Sequence, residues 1–323
     1  MFRIACASLF AALIALPAAP AAAADPYPRR PVRLIAPFPP GGGVDISARI
    51  LADPGQALGE TVVVDNRPGA GGRLGIELVA KADPDGYTLG LGGIGMAISR
   101  ALYKNLPYDT LRDFIPISLL TAQPNILVAH PAIAAKSFQD FIALARSQPG
   151  TLTYGSPGVG TGTHLASVLL LMSQKVELLH VPYKGASPAL TALLSQEITV
   201  YLSTFASALP RVKSERLRAF GVTSAKRARP LPEVHRFAES GAPGYEYVTW
   251  YGLVAPAGVP RAIIDQLNKA TVAVLNKPEI RQICESQGLG PIPSTPAHYV
   301  AYLKAETEKW TKAARAAKID LEQ

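Results

Sequence analysis

Three strand-to-helix segments hold the residues whose types and spacing could do chemistry. The first, at 36–49, reads APFPPGGGVDISAR. Its glycines have no Cβ, so a ligand can approach the main chain, and N–H groups at the following helix start can face an anion. Gly41, Gly42 and Asp45 are the candidates there. Asp45 falls at or near the helix N-cap, where its carboxylate ordinarily accepts backbone N–H bonds. A simple turn with a capping acid is the competing reading. The second segment, at 155–164, reads GSPGVGTGTH, and Ser156, Thr161 and Thr163 add hydroxyls to a bare backbone. A phosphate loop would end Gly-Lys-Ser/Thr, whereas this one ends Gly-Thr-His. A nucleophile elbow needs glycine where Tyr154 stands. His164 is then either a packing residue near the cap or a ligand donor. The third segment, NRPGAGGRLG at 66–75, sits where a dinucleotide loop could sit. Leu74 occupies the last glycine of that fingerprint, and the next strand, TLGLGG, ends in glycine rather than a ribose-binding acid. It reads as a tight turn packing a helix on a sheet.

The elements around these loops alternate. Strand patterns at 32–37, 61–65 and 88–92 bracket helical ones at 45–51 and 72–82, the latter with Leu74, Leu78 and Val79 on one face. A second block follows, with strands at 125–129, 151–155, 178–181, 198–202 and 217–222. Its helices are at 138–146, capped by Ser137, and at 164–172 and 188–194. Such alternation predicts βαβ units and parallel sheet, with ligand sites at the carboxyl ends of strands. Helices return after Pro260, with Ile263, Ile264, Leu267, Thr271, Val274 and Leu275 at helical spacing. Pro278 opens a short helix that Gly288 ends. Thr295-Pro296 opens the last, with Val300, Leu303, Thr307 and Trp310 on one side. The pattern predicts two α/β lobes, the second inserted into the first: 25–124 with 251–323, and 125–250. Crossings are expected near Pro124-Asn125 and Trp250-Tyr251.

The N-terminus carries Arg3, an apolar run over 4–16 and then Ala22-Ala23-Ala24, the pattern of a cleavable secretory signal cut after Ala24. The run is too short for a membrane anchor. The rest of the 323-residue chain is long enough for two domains. Of its 2 cysteines only Cys284 lies beyond the leader, which argues against an internal disulfide or a metal site. The formal net charge of +8, one less without Arg3, fits an anionic ligand. Basic runs interleaved with aromatics are absent, so nucleic acid is not an expected partner.

Taken in order, PFPPGGGVDISAR, VVVDNRPGAGGRLG, ADPDGYTLGLG, LPYDTLRDF, YGSPGVGTGTHLA, HVPYKGASPAL, LRAFGVTSAKR and WYGLVAPAGVP resemble the Bug receptors of tripartite tricarboxylate transport systems, from about Tyr27 to the C-terminus. The resemblance implies a hinged, two-lobed type II periplasmic-binding-protein fold with the ligand in the inter-lobe cleft. It implies a periplasmic, monomeric, non-catalytic protein without cofactor or metal. Such a protein would capture a small mono- or dicarboxylate and deliver it to the large and small membrane subunits of the transporter. Carried over by residue, it places Gly41, Gly42, Asp45, Gly92 and Gly93 at the ligand from one lobe. From the other it places Ser156, Gly160, Thr161 and His164, with the Tyr183-Lys184-Gly185 turn and the Ser203-Thr204 segment lining the same side. In this reading Gly42 admits the ligand to the backbone and sits in a positive-φ turn, while Thr161 donates its hydroxyl. The chain departs from the family pattern at Val44, Ser99-Arg100, Asp53-Pro54-Gly55 and Ala192. Two other classes share these residues: a ligand sensor for a membrane signalling partner, and a secreted hydrolase using Ser156 or His164.

Overall fold

The computed structural model describes residues 27–52, 60–103 and 105–316. The signal pattern and the Asp53-Pro54-Gly55 interruption lie outside the described residues. Strand β1 (Val32–Ala36) leads to helix α1 (Gly43–Leu51). Strand β2 (Val62–Asn66) passes through a tight turn into α2 (Arg73–Ala80), and β3 (Thr88–Gly93) runs directly into α3 (Ile94–Leu102). The long β4 (Phe114–Ala129) precedes α4 (Phe138–Ser147), β5 (Thr153–Ser156), α5 (Gly162–Gln174), β6 (Leu179–Pro182) and α6 (Ala186–Leu194). Then come β7 (Val200–Thr204), α7 (Phe205–Lys213), β8 (Arg218–Val222), β9 (Val248–Pro256), α8 (Arg261–Asn276), α9 (Pro278–Ser286), β10 (Gly290–Pro291) and α10 (Pro296–Ala316).

The strands lie in the order β2-β1-β3-β9-β4-β7-β5-β6, with β8 and β10 also paired to β4. Strands β1, β2 and β3 are parallel, and so are β5, β6 and β7. Antiparallel β9 and β4 join the two groups. Strand β4 changes partners midway: residues 114–124 pair with β9, and residues 125–129 pair with β7 and β8. The change falls at Pro124, which has no N–H to give to a ladder. Pro116 lies at an irregularity in the β4–β9 register. Two prolines in one run argue against a strand in sequence, so only 125–129 was legible as strand.

Apolar burial follows this layout. One core packs α1, α8 and α9 on β1, β3 and β9, another packs α6 and α7 on β7 and β8, and the largest continues between them through Ile94, Tyr247 and Trp250 to Phe138 and Phe141. Helix α4 starts with the expected Ser137 cap: Ser137 accepts the Asp140 N–H while the Asp140 carboxylate accepts the Ser137 N–H.

The face expected for α2 is corrected. Leu74 and Leu78 are exposed at 51% and 46%, while Gly75, Ile76 and Val79 face inward. The cause is Gly75, where a Cβ would sit 2.8 Å from both the Arg67 carbonyl and the Pro37 backbone. Only glycine permits that approach, and the approach selects the Ile76–Val79 side of the helix. Helix α10 is fixed by a buried carboxylate. Glu306 Oε2 accepts the indole N–H groups of Trp250 and Trp310, both at 3.0 Å.

Candidate functional site

Six strand-to-helix turns meet around one cavity. The starts of α1, α2, α3, α5, α6 and α7 contribute Gly42 and Gly43, Gly72 and Arg73, Gly93 and Ile94, Thr161 and Gly162, Ala186, and Thr204. Each of these helices has its N-terminus at the carboxyl end of the strand before it, which is why parallel strands bring them together. The cavity holds about 790 Å³, counting its open mouth. Phe38, Ile76, Leu91, Ile94 and Met96 supply apolar wall, and Ser99, Thr163, Thr249 and Tyr251 are among its hydroxyls.

The first N–H groups of any helix lack partners within it. Ser, Thr, Asp or Asn normally cover one of them with a side chain. Here the N-caps of α1, α2, α3 and α6 are Gly42, Gly72, Gly93 and Gly185, and none makes a side-chain capping bond. The donors at these helix starts are therefore not covered by their own caps. Helices α5 and α7 differ: Thr161 caps α5 by accepting the His164 N–H, and in α7 the Ala206 N–H is given to Gln123 Oε1 at 2.9 Å. Two contacts close the rim between the halves of the chain. Ser187 Oγ donates to the Pro40 carbonyl at 2.7 Å, and the Tyr103 hydroxyl donates to the Val159 carbonyl at 3.3 Å.

Of the residues expected from sequence, Gly42, Gly92, Gly93, Thr161 and, from the Ser203-Thr204 segment, Thr204 line this cavity. Gly41, Asp45, Ser156, Gly160, His164, Lys184 and Ser203 are not part of its wall. Their contacts explain where they went. Asp45 Oδ2 accepts the Gly41 N–H at 2.9 Å and Arg49 Nε at 3.0 Å, while Asn66 donates to Oδ1 at 3.0 Å. Burial alone would raise the Asp45 carboxyl, but the Arg49, Gly41 and Asn66 hydrogen bonds hold it below its ordinary value. Asp45 thus braces the loop from behind. The Ser203 hydroxyl donates to the Thr204 carbonyl, and Lys184 is exposed on the outer turn. Gly160 lies against Tyr103, where a Cβ would come within 2.3 Å of the hydroxyl.

Two expectations about single residues are corrected. The positive-φ residue of the first loop is Gly41, at +82°, whereas Gly42 is at −84° with ordinary room for a methyl group. The Thr161 hydroxyl is already engaged as the α5 cap. It donates to the Gly158 carbonyl at 2.8 Å and accepts the His164 N–H at 3.3 Å. Sequence reasoning also missed Arg73, Tyr108, Tyr201 and Tyr247. The GAGGR turn was read as packing only, yet Gly71, Gly72 and Arg73 form cavity wall. The available signal was a third Gly-capped strand-to-helix turn with a basic residue at its first helical position.

His164 belongs to a stacked column. Its ring lies 4.1 Å from that of His180, which lies 4.8 Å from Tyr154. Burial, and then the nearby His180, push the His164 imidazole down to about 4, and burial pushes His180 down to about 4. Both rings are therefore neutral in the fold near neutral pH. Their folded values lie below the unfolded value of about 6.5, so the unfolded chain binds more protons between pH 6.5 and 4, and stability falls as pH falls through that window. Above 6.5 the pair adds no pH dependence. Urea unfolding between pH 7 and pH 5, where carboxylates stay largely ionised, should lose stability of order 1 kcal/mol. A flat profile over that range would show that the rings are free to protonate in the fold.

Ser156 Oγ lies 2.7 Å from His180 Nε2, a pair with the form of an activated nucleophile. Ser156 is fully buried, is not in the cavity wall, and its Oγ also accepts the Gly158 N–H. Among the described residues no carboxylate orients His180. The pair links β5 to β6.

Parallel strand groups joined by two antiparallel strands, with helix starts converging on a cavity between them, have the architecture of the periplasmic-binding-protein fold. The chain belongs to the family described as tripartite tricarboxylate transporter family receptor, whose model matches residues 47–319. It is 33% identical over 295 residues to the protein BugT of Bordetella pertussis, covering 90% of each chain. It is similar to a solved R. palustris structure with adipate, at 32% identity and TM-score 0.88, over 91% of this chain and 99% of that one. It is also similar to MatC from Rhodopseudomonas palustris with bound malate, at 30% identity and TM-score 0.83, over 89% and 99%. The family and these neighbours are binding proteins rather than enzymes.

Proposed function

We propose that this chain captures a small organic carboxylate in the cavity and delivers it to the large and small membrane subunits of a tripartite transporter. The observation that carries the reading is the ring of helix starts capped by glycine. Helix N-termini favour anions through free N–H groups and the helix dipole, and glycine leaves those groups accessible. Gly42, Gly43, Gly93, Gly162 and Thr163 are the proposed contacts. Adipate and malate in the two neighbours agree with an anionic ligand of this size. On this reading the lobe boundaries are Pro124-Asn125 and Trp250-Tyr251, the first of which is supported by the exchange of β4 partners there. Closure brings the lobes together over the ligand, and the Ser187–Pro40 and Tyr103–Val159 contacts belong to the closed form. The protein acts as a monomer without catalysis or cofactor, after removal of its leader behind Ala24.

A thermal-shift series with adipate, malate, adipamide and glucose tests the ligand class. A bound carboxylate at about 100 times its Kd should stabilise the fold by roughly 2.7 kcal/mol. Adipamide and glucose should not shift the melt. Stabilisation by glucose with none by either carboxylate would overturn the anion reading. Delivery is tested by uptake: cells lacking the chain should lose high-affinity uptake of the carboxylate that binds.

A further inference from the structure

Arg73 is the only charged side chain among the described residues in the cavity wall. It is the first residue of α2, just after Gly72, which is held at φ +93°. Its guanidinium lies 3.6 Å above the Tyr103 ring, so that ring holds it in place as a planar support. Its Nη1 is buried and has no hydrogen-bond partner. The acid one turn along the helix does not neutralise it, because Glu77 is paired to Lys81. A buried guanidinium nitrogen without an acceptor is an unusual thing to find in a folded protein, since leaving a charged donor unmade is costly.

Its surroundings say what acceptor would suit. Ser99 and Tyr108 line the same cavity, and Ile76 lies on the next turn of α2. Tyr108 is buried against Phe114. Burial raises the Tyr108 phenol to about 12, while hydrogen bonding to Ser99 and the Arg73 charge oppose that rise, so Tyr108 stays a neutral O–H beside the cation. Tyr201, Thr204 and Thr249 reach the cavity from β7 and β9 instead. The Tyr201 hydroxyl, next to Ser203, likewise makes no hydrogen bond of ordinary geometry. The wall between these polar groups includes Leu91, Ile94 and Met96.

We infer that Arg73 receives a second carboxylate, so that the ligand is a dicarboxylate with an apolar spacer. This rests on the carboxylate-binding reading given above. One carboxylate meets the backbone N–H groups at the glycine-capped helix starts. The other takes the Arg73 fork, whose planar geometry matches carboxylate and which Tyr103 already orients. The apolar wall covers the methylenes between them. Arg73 is thus a specificity residue: it separates dicarboxylates from monocarboxylates of the same chain length, because a methyl terminus would leave the guanidinium unpaired against an apolar group.

Calorimetry with adipate and hexanoate, which share six carbons, tests this on the mature chain and on Arg73→Gln and Arg73→Lys. The parent should bind adipate at least about tenfold tighter than hexanoate, the change expected for one charge-assisted contact. Arg73→Gln should erase that preference by weakening adipate alone, leaving hexanoate within about twofold. Arg73→Lys, which keeps charge but not the fork, should retain part of it. Arg73 is partly exposed on the first turn of a helix, and matching urea melts will show that the variants fold. Equal binding of the two probes by the parent would overturn the inference while leaving carboxylate capture intact. So would an Arg73→Gln variant that still prefers adipate, or one that loses both probes alike. If neither probe binds the parent, nor any other carboxylate, the failure lies in the proposed function itself.

Discussion

Glu306→Ala is expected to lower the unfolding free energy by about 3–5 kcal/mol, because it leaves two buried indole donors without an acceptor and opens space around them. Trp250 is fully buried and Trp310 nearly so, and both give their N–H to Glu306 Oε2. The Lys309 contact at 3.3 Å is on the outer side and adds little. Glu306→Gln keeps one acceptor oxygen without its charge, so its cost should be smaller, about 1–2 kcal/mol. Urea denaturation of the two variants measures both effects. A Glu306→Ala protein within about 1 kcal/mol of the parent would mean that the indoles find other acceptors and that the clamp is not what seats the last helix.

The second large effect concerns binding. Gly43 opens α1 and lines the cavity, and a Cβ there would lie 2.3 Å from Gln123 Nε2 and 2.7 Å from the Tyr251 hydroxyl. Gln123 is the link between β4, β9 and α7, since its Oε1 accepts the Ala206 N–H and its Nε2 reaches Tyr251 at 3.5 Å. A leucine at 43 must therefore either displace this link or put its side chain into the ligand space. Gly43→Leu should weaken carboxylate binding by more than about a hundredfold, equivalent to roughly 2.7 kcal/mol. The neighbouring Gly42→Ala adds a smaller group at another wall position and controls for the fold. Its added methyl would meet only the Ala186 Cβ and the Pro39 carbonyl, each at 3.8 Å, so the fold should be untouched. Isothermal titration with adipate on both variants separates the two positions. Full affinity in Gly43→Leu would place the ligand away from the α1 start.

The contrast between these neighbours shows what was legible in the sequence. The loops themselves were: glycine-rich stretches between strand and helix patterns were visible at 36–49, 155–164 and 66–75, and all three reach the cavity. Which residue of each loop faces inward was not, because that depends on a single φ angle and on tertiary neighbours. Asp45 and His164 look functional by type, yet Arg49, Asn66 and the His180 ring hold them elsewhere. Arg73 looks like a surface residue by type, and becomes cavity wall only because Gly75 lets α2 sit down on Pro37. The same logic holds for the fold. Helices with clean caps, such as α4, were readable, while α7, with Pro210 inside, and the proline-broken first half of β4 were not. Pairing with β9 holds that half of β4, and packing against buried residues of β4 and β7 holds α7.

The glycine caps carry one more consequence. A grip made of main-chain N–H groups is invisible to alanine scanning, since trimming a side chain leaves every such donor in place. It is equally resistant to drift: most point changes around the cavity would alter its walls and spare the main-chain donors. Under the proposed roles, a change at a wall residue such as Arg73 would alter the preferred ligand without rebuilding the backbone donors at the helix starts. A scaffold arranged this way suits engineers who want a panel of sensors on one backbone.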